Sequence, residues 1–167
     1  MKCRGINSDG SSCAKTNLIQ AHIIPAAFAG QMKPQNRPLT IISTSTVQST
    51  QHGEYDPRIL CSACDQKLGC YDKYAVELIR RYSDERIIQG DRFTMLNVDG
   101  DKLAKFALAC LWRASISTRP KVENVRLGPF ESKASQVLFG ASHFSNSKLK
   151  NKWLTDNAKG NRFRIAG

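Results

Sequence analysis

Four residues have the types and spacing to hold a metal: Cys3, Cys13, Cys61 and Cys64. Thiolates are soft anionic ligands, and four of them at ~2.3 Å complete a tetrahedron around zinc. Cys61 and Cys64 form a CxxC knuckle, in which one tight turn offers two sulfurs to a shared ion. Cys3 and Cys13 stand too far apart to be a knuckle alone, so the pattern rests on the two pairs together. The expected cofactor is one structural Zn²⁺ that clamps the N-terminal half. The other cysteines are Cys70 and Cys110. Cys70 is a substitute for one member of the set, and Cys110 reads as a core residue on a helix. Unrelated buried thiols are the plainer alternative. A redox CxxC is another, but such motifs open a helix in a thioredoxin-like βαβ unit, and that pattern is missing.

Further chemistry-bearing residues lie between and beside these pairs. Ala21-His22-Ile23-Ile24-Pro25 follows Cys13, and Asp56-Pro57-Arg58-Ile59-Leu60 runs into the knuckle, with Asp65 directly after Cys64. This order resembles the zinc-bearing branch of the HNH, or His-Me finger, nucleases, over roughly residues 3–75. In that family a histidine followed by an apolar residue and a proline ends the first strand. A later Asn-x-x-x-Leu-Cys-x-x-Cys-His segment leads from the second strand into a helix.

The resemblance implies roles residue by residue. His22 falls on the general base that activates water against the scissile phosphate. Asp56 falls where the family has an asparagine that orients that histidine. Asp65 falls where the family has its last His or Asn, a ligand of the catalytic metal. A carboxylate is a hard oxygen donor suited to Mg²⁺ or Mn²⁺. A histidine neutral near pH 7 can accept a proton, and a divalent ion stabilises charge developing on phosphate. The chain departs from the family in three places. Ala21 stands where many members carry a second acidic ligand, and Asp56 and Asp65 replace Asn and His. The motif therefore reads His-Asp-Asp, and Asp72, Asp56 and His52 are the candidates to complete a metal site. Each residue also has a plainer use. His22 can be a polar strand end, Asp56 can shape an Asp-Pro turn, and Asp65 can stabilise a helix start.

The positioning elements follow from periodicity and turn chemistry. Leu18 to Pro25 has strand character and Pro25 ends it. Ala26 to Met32 suits a helical turn, and Pro34 and Pro38 break any helix. Leu39 to Thr50 suits an exposed strand or a long loop. Asp72 to Tyr82 reads as a helix. Lys102 to Ser117 is the clearest amphipathic helix, with a stripe of Leu103, Phe106, Ala107, Cys110, Leu111 and Ala114. Trp112 and Arg113 on it could face nucleic acid, although a tryptophan there is more often core. Phe130 to Leu138 forms a shorter helix that Gly140 ends. The expected fold class is α+β. A small ββα-metal core is clamped by a four-cysteine zinc site, and a mainly helical C-terminal part follows. The expected division is a finger over 1–83 and a helical extension over 84–167, packed as one unit.

The formal net charge of +11 favours polyanionic partners, nucleic acid first. The last stretch is densest, with Lys148, Lys150, Lys152, Arg162 and Arg164 interleaved with Trp153 and Phe163. Those basic residues are candidate phosphate contacts, or else a solvated tail. No apolar run approaches the ~20 residues that cross a bilayer, and the N-terminus lacks a signal-peptide core. The chain is therefore expected to be soluble and cytoplasmic, without a membrane partner. The function expected from the resemblance is a metal-dependent endonuclease acting on DNA. The alternative is a catalytically inactive zinc-finger protein that binds nucleic acid or a partner protein, for example a phage or defence accessory factor.

Overall fold

The computed structural model describes residues 1–31, 39–42, 47–50, 53–90, 92–122 and 124–140. His52 and the basic residues Lys148, Lys150, Lys152, Arg162 and Arg164 lie outside the described residues. The elements in chain order are β1 (Ala21–His22), α1 (Ala26–Gln31), β2 (Leu39–Ile42), β3 (Val47–Thr50), β4 (Tyr55–Asp56), α2 (Ser62–Glu85), β5 (Ile87–Gln89), β6 (Arg92–Thr94), α3 (Gly100–Ile116) and α4 (Glu131–Leu138). The fold is mixed α+β, with small two-stranded antiparallel sheets and packed helices.

The sheet that matters here joins β1 to β4. Ala21 lies opposite Asp56 and His22 opposite Tyr55. Ile23 N–H extends the pairing by donating to the Glu54 carbonyl at 3.0 Å. Between these strands the chain inserts α1 and the β2–β3 hairpin. Regular strand is confined to Ala21–His22, shorter than the expected Leu18–Pro25. Pro25 ends it and leads into α1, because a proline with fixed φ suits a helix entry and cannot continue a ladder. Phe28 of α1 stacks on Phe106 of α3 at 5.1 Å, which ties the insertion to the helices.

Helix α2 starts well before the expected Asp72. Cys61 is its N-cap residue, and its carbonyl accepts from both Cys64 N–H and Asp65 N–H. The knuckle is thus the first turn of the helix. Gly69, a poor helix former, disguises this in the sequence, yet space is open around it. β4 leads through residues 57–61 into α2.

Helix α3 has the expected bounds within two residues but not the expected face. Leu103 and Leu111 are exposed, whereas Ala109, Trp112, Arg113, Ala114, Ser115 and Ile116 are buried. The reason is packing on more than one side. Helix α3 touches both α2 and α4, so burial in its last turns spreads beyond one stripe. Trp112 meets Phe139 edge-on at 5.4 Å. Neither Trp112 nor Arg113 faces solvent, which corrects the expectation that they could contact nucleic acid. One apolar cluster joins Cys3, Ile59, Leu60 and Leu68 to Trp112, Ile116, Leu138 and Phe139. The core therefore draws on both sides of residue 84.

Candidate metal centre and adjoining polar site

The first pair of thiols is brought together by a tight loop. Asn7 N–H donates to the Ser11 carbonyl, and Cys13 N–H to the Gly5 carbonyl at 2.9 Å. Asp9 holds the tip, its carboxylate accepting from the Ser11 N–H and hydroxyl. Gly10 follows with φ +85°, a left-handed conformation that glycine adopts without strain. Arg4 N–H donates to the Ile59 carbonyl, which lays this loop against the approach to the knuckle. The four ligand sulfurs of Cys3, Cys13, Cys61 and Cys64 end within 4.8 Å of one another, all buried. Cys13 Sγ and Cys61 Sγ are 3.9 Å apart. Ligands at ~2.3 Å in a tetrahedron stand ~3.8 Å from each other, so the spacing fits a four-sulfur metal centre.

Backbone amides already point at the sulfurs. Gly5 N–H and Cys61 N–H both donate to Cys3 Sγ, at 3.4 and 3.3 Å. Burial works against a thiolate at Cys61, but hydrogen bonds from the Cys64 amide and the neighbouring thiols outweigh it and bring Cys61 down to about 7. Burial, together with Cys3, pushes Cys64 in the opposite direction. Such a set does not carry four charges without a cation to balance them. Gly5 is required for the close approach. A Cβ there would lie 2.6 Å from Cys64 Sγ. Cys70 is exposed, donates to the Lys67 carbonyl at 3.1 Å and stands outside the cluster. Cys110 is half-buried beside Arg113.

The polar candidates lie on β1 and α2. His22 lies on β1 with its Nε2 atom buried and its ring 6.0 Å from Tyr55. Asp65 lies in the first turn of α2, where a negative charge faces the positive end of the helix dipole. Burial pushes the Asp65 carboxyl above its ordinary range; Arg113 and His22 pull it back, and Asp72 adds to the rise. The charges of His22, Asp72 and Arg113 therefore all act on Asp65. Arg113 is fully buried and grips Asp72 through two hydrogen bonds of 2.6 and 2.9 Å. Burial opposes its charge, but Asp72 more than compensates and Arg113 stays a cation. Asp72 is thus occupied by a protein partner.

Asp56 is also occupied, and its hydrogen bonds go to the end of α3 and to Arg58. It is fully buried. Its Oδ2 accepts from the Ser117 hydroxyl at 2.9 Å, Thr118 N–H at 2.7 Å and the Thr118 hydroxyl at 2.8 Å. Its Oδ1 accepts from Arg58 N–H at 2.9 Å. Burial alone would raise this carboxyl, yet the bonds from Thr118, Arg58 and Ser117 hold it below its ordinary value. Asp56 therefore pins the end of α3 to β4. Ala21, opposite it, is fully buried in the core, so no carboxylate approaches a metal from that position.

The structure brings Cys3, Cys13, Cys61 and Cys64 together; Asp65 follows Cys64 in the first turn of α2, and His22 lies on β1. The sequence reading missed the Arg113–Asp72 pair and the Ser117–Thr118 seat for Asp56. The one hint in the sequence was that Asp65 and Asp72, seven residues apart, share a helix face. Set against known proteins, the chain matches no family model, no curated protein and no solved structure.

Proposed function

We propose that this protein is a metal-dependent endonuclease of the HNH type, hydrolysing phosphodiester bonds in DNA. The observation that carries this is the placement of His22 and Asp65. His22 comes from an antiparallel strand pair and Asp65 from the first turn of the helix after it, and His22 contributes to the electrostatics of the Asp65 carboxyl. The thiol cluster sits at the root of both elements, with spacing that suits zinc. On this reading Cys3, Cys13, Cys61 and Cys64 hold a structural Zn²⁺, and Asp65 is the protein ligand for a catalytic Mg²⁺ or Mn²⁺. When bound, that divalent ion supplies charge stabilisation at the phosphate. His22 takes the proton of the attacking water as general base. Asp56 acts at a distance, by holding the strand and the end of α3 in place.

A second possibility is favoured by Arg113. A buried cation beside Asp65 competes with a divalent ion for the same carboxylate charge. A zinc-stapled protein that binds nucleic acid or a partner protein without cleaving it would tolerate that arrangement. Supercoiled plasmid incubated with Mg²⁺ or Mn²⁺ separates the two. The nuclease converts it to nicked or linear forms, and EDTA stops the reaction. Zinc-loaded, folded protein that binds the plasmid but leaves it supercoiled in every metal would make the non-catalytic function the right one.

A further inference from the structure

The seat that holds Asp56 also places an arginine against Tyr55, the cross-strand neighbour of His22. Ser117 and Thr118 are fixed by the Asp56 carboxylate. Ser117 Oγ in turn accepts from Arg119 N–H at 3.1 Å. The turn so built delivers Arg119 to β4. Arg119 Nε donates to the Tyr55 carbonyl at 2.9 Å, and the guanidinium carbon lies 5.3 Å from the centre of the Tyr55 ring. Tyr55 is the cross-strand partner of His22, and their rings are neighbours. Arg119 and His22 therefore border the same tyrosine.

Four other arginines carry acidic partners, and among the described residues Arg119 does not. Arg4 pairs with Glu131, Arg58 approaches Asp56, Arg81 pairs with Glu85 and Arg113 grips Asp72. Arg119 makes no ion pair among the described residues, yet it is half-buried and held at two points. Among the described residues the Tyr55 carbonyl takes only Nε, and the terminal N–H groups form a flat, charged fork. Such a fork matches the oxygens of a phosphate. Anchoring on Tyr55 also lowers the ordering cost of binding.

We propose that Arg119 is a phosphate-binding residue, which engages a backbone phosphodiester of the nucleic acid strand lying against His22. Asp56 is the positioning residue that presents it, through Ser117 and Thr118. This rests on the nucleic-acid reading above and adds a contact that the resemblance to HNH nucleases does not imply.

The test is fluorescence anisotropy of a labelled DNA duplex with zinc-loaded protein and no added Mg²⁺ or Mn²⁺, over a series of salt concentrations. Wild type is compared with Arg119→Ala, Arg119→Gln and Arg119→Lys, and with Arg126→Ala as an exposed control of equal charge change. Zinc content and circular dichroism verify the fold, and Arg119→Gln keeps a donor for Tyr55 in case the alanine variant loosens the turn. Arg119→Ala and Arg119→Gln are expected to bind roughly tenfold more weakly and to lower the salt slope by about 0.9. Arg119→Lys should keep most of the slope, and Arg126→Ala should match wild type. Unchanged affinity and slope in folded Arg119→Gln, an equal loss in Arg126→Ala, or no binding by wild type would overturn the proposal. Plasmid nicking distinguishes this failure from that of the nuclease reading. If wild type binds with an Arg119-dependent slope but never nicks, the phosphate contact stands without catalysis. If wild type nicks and Arg119→Gln matches it in KM, kcat and salt slope, Arg119 falls while His22 chemistry stands.

Discussion

Replacing Asp56 tests what this carboxylate does, because its two possible roles predict opposite outcomes. It is fully buried and accepts four hydrogen bonds, three of them on one oxygen. Asp56→Ala leaves the Ser117 and Thr118 hydroxyls and two backbone N–H groups without their acceptor. Each charge-assisted bond is worth about 1.5–3 kcal/mol, but the bonds share one carboxylate and do not add. Breaking a buried charged network costs about 3–5 kcal/mol. Against a total stability of about 5–15 kcal/mol, that loss is severe. With a urea m-value of about 2 kcal/mol per molar, the midpoint should fall by roughly 2 M. Asp56→Asn keeps one carbonyl oxygen and should lose about 1–2 kcal/mol. The effect carries a pH signature. A carboxyl held below its ordinary value stabilises the fold fully above its unfolded pKa of about 3.9, and the gain fades as pH falls through the folded value. The stability gap between wild type and Asp56→Asn should therefore be widest near neutrality and narrow towards acid pH. Urea melts monitored by circular dichroism read this directly. If Asp56→Ala melts like wild type while activity is lost, Asp56 orients His22 instead, and the reasoning here is wrong.

Further outcomes follow from the same geometry. Gly5→Ala places a methyl 2.6 Å from Cys64 Sγ, so the loop must shift; purified variant should hold less than one zinc per chain by metal analysis and melt at lower temperature. Cys61→Ser or Cys64→Ser should lose the metal outright, and chelation of wild type should reproduce the unfolding, since a structural site contributes folding energy. Arg113→Leu leaves the largely buried Asp72 without its partner, and should cost about 3–5 kcal/mol in urea melts. Asp72→Ala together with Arg113→Leu should cost less than the sum of the two single changes, as a double-mutant cycle would show.

The parts of the site legible in the sequence were those whose chemistry is carried by residue type. Cysteine spacing alone led to the cluster of Cys3, Cys13, Cys61 and Cys64, because few other residues form such a set. His22 and Asp65 entered through the resemblance to HNH nucleases, carried by the HIIP segment and the residue directly after Cys64. The partners of Asp56 were not legible, because Ser117 and Thr118 lie 61 and 62 residues away and carry no local signature. Arg113 misled for a related reason. An arginine on a helix ordinarily reaches solvent, and only the distant Asp72 makes its burial tolerable. The start of α2 was hidden because Gly69 lowers helix propensity while packing of Leu68 and Ala75 sustains the helix. The apolar stripe of α3 failed as a guide because the helix packs against two others, where face periodicity fades.

The most direct measurement is plasmid nicking by His22→Ala beside wild type, both zinc-loaded, with Mn²⁺ and Mg²⁺ in turn. His22 sits at the end of β1 and outside the thiol cluster, so the variant should retain zinc, fold and DNA affinity. A general base contributes about 10²–10⁴-fold, so nicking should fall by at least ~100-fold. Equal nicking by wild type and His22→Ala would show that the chemistry, if present, is not carried by His22, and the proposed active site would be wrong.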